Sequence, residues 1–179
     1  LGERRSTFTE EERKEIVHDL IRLPKQIETM LQQEEKIESM AKHFFRYNNF
    51  LYLGRGIHYP VALEGALKLI EISYIHAEGY PAGEMKHGPI ALIDEDMPVV
   101  FLAPKDNLYE KALSNMMEVK ARGGYIIGIG PEKHDVYDFW IRVPEAGAAS
   151  PIMNIIPVQH VDEVLRHALP PGGHDAQLG

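Results

Sequence analysis

The arrangement of apolar residues constrains this chain more than any single motif does. Three runs, FLYLG (50–54), MPVVFLAP (97–104) and YIIGIG (125–130), are too continuous for strands with one wet face and too short for ordinary helices. They read as strands buried on both sides. The turn GRGIHYP leads into VALEGALKLIEISY, a helix by its spacing, and YEKALSNMMEVKARGG (109–124) is a second helix stopped by two glycines. DFWIRVPE (138–145) reads as a fourth strand. Strands alternating with helices at this spacing predict an α/β fold built on a right-handed, mostly parallel sheet, with ligands beyond the carboxyl ends of the strands.

Ahead of the first strand the period is helical. In TFTEEERKEIVHDLIRL, Thr9 stands three residues before Glu12, a capping-box spacing, and Ile16, Val17, Leu20 and Ile21 form an apolar face. This helix is expected to end near Pro24. A second stretch carries Ile27, Met30, Leu31, Ile37, Met40, Ala41 and Phe44 at helical steps. We therefore expect a helical extension over 1–46 packed on one domain over 47–179, as suits a chain of 179 residues. Beyond Ala146, SPIMNIIPVQ and HVDEVLRHAL read as two covering helices, and the turn-rich end is expected to fray over 169–179.

Composition removes several functions. With no Cys there is no thiolate nucleophile, thiolate zinc site or disulfide framework, which fits a cytoplasmic protein. A net charge of −8 disfavours nucleic acid, whose binding depends on Lys and Arg displacing counterions. No apolar run is long enough for a membrane span. The first residues, LGERRSTFTEEE, lack Met and the apolar core of a signal peptide, so the chain is expected to be cut from a longer one.

The chemistry concentrates in ALEGALKLIEISYIHAEGYPAGEMKHGP (62–89). Glu64, Lys68 and Glu71 recur at helical spacing and share one face. A general base that moves a proton between carbons needs a shielded carboxylate, and a neighbouring ammonium can hold it ionised. Glu71 and Lys68 supply such a pair, with Glu64 placed to fix the lysine. From spacing alone, however, an ordinary solvated and ion-paired face outweighs catalysis. The segment YIHAEGYPAGEMKHGP reads as a long polar loop carrying His76, Glu78, Glu84, Lys86 and His87. His87, before Gly88-Pro89, could shuttle protons near neutral pH; His76 reads as structural, and the default for any lone loop histidine is a surface role. The His and Glu residues lack a recognised ligand spacing, so neither metal nor other cofactor is expected. GRG after the first strand lacks both the third glycine of a dinucleotide turn and a Gly-Lys-Ser/Thr ending, so it reads as a close-packing turn.

LGRGIHYPVALEGALKLIEISYIHAEGYPAGEMKHGPIALID closely resembles the second sugar isomerase (SIS) domain of the glucosamine-6-phosphate synthases, the glutamine:fructose-6-phosphate amidotransferases. The match extends from about the Ile16 helix through ARGGYIIGIG and, more loosely, to PIMNIIPVQ. It implies a flavodoxin-like sandwich and part of a site converting fructose 6-phosphate into glucosamine 6-phosphate with glutamine-derived ammonia. On that resemblance Glu71 matches the base that moves a proton between C1 and C2 of the open-chain sugar. Lys68 matches its neighbouring active-site lysine. His87 matches a ring-opening histidine delivered from the other subunit, which implies a homodimer.

The resemblance also defines what is missing. SIS domains that hold sugar phosphate use Ser, Thr and backbone amides after the first and second strands, whereas here those loops read GRGIHYP and APKDNLY, with no hydroxyl but those of Tyr. The phosphate is thus expected on a first SIS domain, and ammonia from an N-terminal glutaminase, neither in this chain, which alone is expected to turn over poorly. The family's tail closes over the sugar with a lysine; this chain ends GGHDAQLG and has no Lys after Lys133. The alternative is a noncatalytic sugar-phosphate-binding SIS module of a regulator, which the missing Ser and Thr disfavour and which leaves Glu71, Lys68 and His87 without a purpose.

Overall fold

The computed structural model describes residues 5, 7–44 and 46–168, with 161–168 described by backbone alone. The expected tail over 169–179 lies outside the described residues. The elements run α1 (Glu10–Leu31), α2 (Glu34–Phe44), β1 (Asn49–Gly54), α3 (Tyr59–Ser73), β2 (His76–Pro81), β3 (Pro98–Leu102), α4 (Tyr109–Lys120), β4 (Tyr125–Gly130), β5 (Phe139–Arg142) and α5 (Ser150–Ala168). All sheet pairings are parallel, and the strand order is β2-β1-β3-β4-β5. The α/β expectation holds, and the order places a topological switch between β1 and β3.

Burial on both faces follows from the continuous apolar runs. Phe50 and Tyr52 of β1, with Val100, Leu102, Ile127, Ile129 and Ile141, face a core shared with α2, α3 and α5. Leu51 and Leu53, with Val99, Phe101 and Ile126, face the opposite core, closed by α4 and the turns after β2. At the amino ends of the strands, Phe44 packs edge-on against Phe139 at 5.1 Å and Tyr125 at 6.1 Å, sealing that rim. Helices α1 and α2 contribute Met30, Ile37, Met40 and Phe44 to the same core as the sheet.

Three expectations need correction. Helix α1 does not stop at Pro24 but runs through it. Proline removes one backbone donor and crowds the preceding turn, yet Leu23, Ile27 and Met30 pack on the core from both sides of it. Tertiary burial outweighs the local penalty. The helix does begin at the expected capping box, with Glu12 N–H donating to Thr9 Oγ1 at 3.2 Å and Thr9 N–H to Glu12 Oε2 at 2.7 Å. Likewise the two covering helices expected after Ala146 are one, α5, continuous through Pro157.

The third correction is β2, which lies within the segment read as a loop. Its neighbour β1 supplies the ladder from Asn49↔His76 to Gly54↔Pro81 regardless of side-chain polarity, and at a sheet edge one face need not be apolar. Gly79 is required there because a Cβ would lie 2.8 Å from Leu63 Cα. The helix crosses this strand at backbone distance. Phe139–Arg142, expected as the fourth strand, is therefore the fifth.

Candidate functional site

Helix α3 positions the charged stripe. Ala62, Ala66 and Leu69 are buried toward the sheet and α5, which turns Glu64, Lys68 and Glu71 outward. Lys68 Nζ lies 2.6 Å from Glu71 Oε2 and 4.0 Å from Glu64 Oε1. The hydrogen bond from Lys68 to Glu71, then the charge of Glu71, hold the ammonium above the ordinary lysine value; partial desolvation opposes this and Glu64 adds to it. The Glu71 side chain is 49 % exposed and that of Lys68 33 %. Within this chain the pair faces solvent, unlike the shielded base that proton transfer from carbon requires.

The same outer surface carries Leu63, Leu67, Ile70 and Tyr74, all exposed. They fall at helical steps beside the charges, so this face is apolar where a lone helix would be wet. The helix ends at Tyr74 in the left-handed region, φ 60°, with its N–H on Ile70 O, a conformation that costs a side-chain-bearing residue about 1–2 kcal/mol. Ser73 Oγ accepts from Ile75 N–H at 3.2 Å and so supports the reversal into β2.

The structure places His87 apart from this stripe. It ends the turn Ala82–His87 after β2, largely exposed, with Nε2 3.8 Å from Glu84. Among the described residues no hydrogen bond or ion pair joins it to Lys68 or Glu71. His76 lies 3.6 Å from Glu78 on β2, and Lys86 pairs with Glu118 at 2.9 Å. Among the described residues no three His, Asp or Glu side chains converge as a metal site requires.

The loops at the carboxyl ends of β1 and β3 spend their polar groups on the fold. Gly54 admits no Cβ, which would meet the His58 carbonyl at 2.4 Å, as expected of a close-packing turn. Arg55 Nη1 donates to Asn115 Oδ1 at 2.6 Å, tying this turn to α4. Lys105 pairs with Glu132, and Asp106 Oδ1 accepts from Leu108 N–H at 2.8 Å.

Beside these loops is a cavity of about 260 Å³ whose wall includes Pro104, Pro131, Ser150 and Asn154. Ser150 Oγ is 3.1 Å from Nε2 of His58, which burial holds below the usual histidine value against the opposing charge of Asp106. Sequence reasoning missed this cluster because His58 and Ser150 are 92 residues apart. The one available signal was Asn154, a lone amide inside the apolar run PIMNII.

Comparison with known proteins agrees with the fold. The family model described as "SIS domain" matches residues 43–138. Glutamine–fructose-6-phosphate aminotransferase (isomerizing) of Aquifex aeolicus is 51 % identical over 154 residues, covering 83 % of this chain and 26 % of the relative. The protein of the same name from Nostoc is 48 % identical over 167 residues, covering 92 % and 25 % respectively. The chain thus spans about a quarter of the length of these curated relatives. Among solved structures, the C-terminal domain of glucosamine-fructose-6-phosphate aminotransferase from Francisella tularensis superposes with a TM-score of 0.84 at 36 % identity, covering 91 % of this chain and 47 % of that one. From sheet order, core and sequence together, the chain belongs to the SIS domain family.

Proposed function

We propose that this chain is the second isomerase half of a glutamine–fructose-6-phosphate aminotransferase, acting in the cytoplasm as part of a homodimer. The observation that carries the reading is an identity near one half, sustained over more than four fifths of the chain, with proteins of that name. In this reading ammonia released from glutamine by a separate glutaminase domain adds at C2 of open-chain fructose 6-phosphate, and water leaves. Glu71 then takes a proton from C1 and returns one to C2, giving the amino aldose. Lys68 pairs with that carboxylate, Glu64 steadies Lys68, and His87, contributed to the other subunit's site, assists ring opening.

The outer face of α3 supports a shared site. Its charges sit among Leu63, Leu67 and Ile70, which are exposed here and which a first SIS domain carrying the phosphate loops would cover. The solved relative's chain, of which this one covers 47 %, has room for such a second half. Shielding by that domain would also supply the dry surroundings that Glu71 lacks alone.

The test is a chimera in which this chain replaces the matching quarter of the Aquifex aeolicus relative, with glucosamine 6-phosphate formation as the readout. Activity in the chimera and its loss in Glu71→Gln are expected. A folded Glu71→Gln chimera with undiminished turnover overturns the assignment and leaves the stripe as surface.

A further inference from the structure

The His87 side chain is 75 % exposed and its Nε2 lies 3.8 Å from an exposed Glu84, so solvent rather than packing surrounds the imidazole. The ring takes its place from the backbone of the turn Ala82–His87. That turn is held at three points. Ala82 and Met85 are fully buried in the core that Met116 and Val119 of α4 also fill. Lys86, the residue before His87, reaches Glu118 of α4 at 2.9 Å. Gly83 lies over the Arg55 guanidinium, where a Cβ would come within 3.3 Å of Nη2, and Arg55 Nη1 donates to Asn115 Oδ1 at 2.6 Å.

Asn115 and Glu118 are three residues apart on α4, so they share one helix face, and both meet the turns that follow β1 and β2. Neither is an ordinary surface group. Asn115 is 6 % exposed. The Glu118 side chain is 26 % exposed, with Oε2 closed to solvent and without a partner among the described residues. A carboxylate sunk this far depends on its cation more than a solvated one does, so the Lys86 pair is a firmer tie than an ion pair between two exposed groups. Because Arg55 follows β1 and Gly83 follows β2, the link through Asn115 also fixes the two strand ends relative to each other.

We propose that Asn115 and Glu118 are positioning residues for His87, acting through Arg55 and Lys86. This rests on the isomerase reading, in which His87 serves a site on the other subunit. A group delivered across a subunit boundary has to be preorganised by its own chain, because the site that receives it closes only on assembly. Helix α4 supplies that preorganisation from the face of the sheet opposite α3.

The experiment is a double-mutant cycle in the Aquifex aeolicus chimera, with turnover of fructose 6-phosphate as the readout. His87→Asn is expected to lower turnover about 10²-fold, as loss of a general acid–base group does, and Glu118→Gln about three- to tenfold. The variant carrying both should be no slower than His87→Asn, because the Glu118 effect passes through the missing ring. Asn115→Leu should behave like Glu118→Gln, whereas Asn115→Asp, which keeps the acceptor for Arg55, should retain turnover. On the 179-residue chain, amide exchange over 83–88 should quicken about three- to tenfold in Glu118→Gln while that of α3 is unchanged. Losses that multiply when Glu118→Gln is added to His87→Asn overturn the proposal and make Glu118 a purely structural residue. Full turnover in Glu118→Gln overturns it as well. If His87→Asn alone keeps full turnover while Glu71→Gln loses it, the role of His87 falls and its positioning with it. Full turnover in Glu71→Gln overturns the isomerase reading itself.

Discussion

Helix α3 is packed on one side until a single methyl would not fit, and left bare on the other. On the inner side a Cβ on Gly65 would lie 2.4 Å from Val158 Cγ1 and 2.8 Å from the Tyr52 ring. On the outer side Leu63, Leu67 and Ile70 keep much of their surface in solvent, and the charges between them satisfy one another. The inner side fixes where the helix lies to within a fraction of an ångström; the outer side uses that position to present a rigid constellation. Packing and surface charge are therefore separable here, and substitutions should separate them.

The largest effect is expected on the outer side. In the chimera, Glu71→Gln should lower turnover by about 10²–10⁴, the usual worth of a general base, while the 179-residue chain alone should give no deuterium at C2 of glucose 6-phosphate from fructose 6-phosphate in deuterated water. Exchange by the lone chain, abolished in Glu71→Gln, would show the outer side to be complete without a second domain. On the inner side the expectation reverses: Gly65→Ala should cost about 1–3 kcal/mol by overpacking, read as a lower urea midpoint. If the variant is as stable as its parent, α3 has slack and the contrast between its sides is lost.

A smaller effect concerns His58, at the head of the helix. Burial lowers its folded-state value below the ordinary 6.5, so it stays neutral in the fold while the unfolded chain gains a proton. Its contribution to stability is intact at neutral pH and declines as pH falls below 6.5. Urea midpoints measured at about pH 7.5 and about pH 5.5 should differ less in His58→Gln than in the parent. Least of all, Glu71→Gln should leave the urea midpoint of the chain nearly unchanged, because the Lys68 pair is exposed. A clear drop in the midpoint would mean that the stripe holds the helix in place.

These contrasts bear on what a reader of the sequence could see. β1, β3 and β4 were legible because strands buried on both faces leave continuous apolar runs, and Glu64, Lys68 and Glu71 were legible as one face because helical spacing alone decides it. β2 was not, since HAEGYP carries polar side chains and its regularity comes from pairing with β1. Pro24 and Pro157 read as stops because the penalty for proline is local, whereas the contacts that overcome it come from distant parts of the chain. The cavity was hidden for a related reason: Asn154, Ser150 and Lys105 meet only once the strand ends are aligned. The stripe was written in one helix, and the cavity in the topology.

An open sheet has two edges, and either can recruit a strand from another molecule. Here both are poor templates. β5 is only four residues long, and β2, at the other end of the order, carries His76 and Glu78 and closes on Pro81, which has no N–H to offer a newcomer. The polar character that made β2 look like a loop is thus what protects the chain against edge-to-edge fibril growth, and it predicts that the 179-residue chain can be concentrated without polymerising through its sheet.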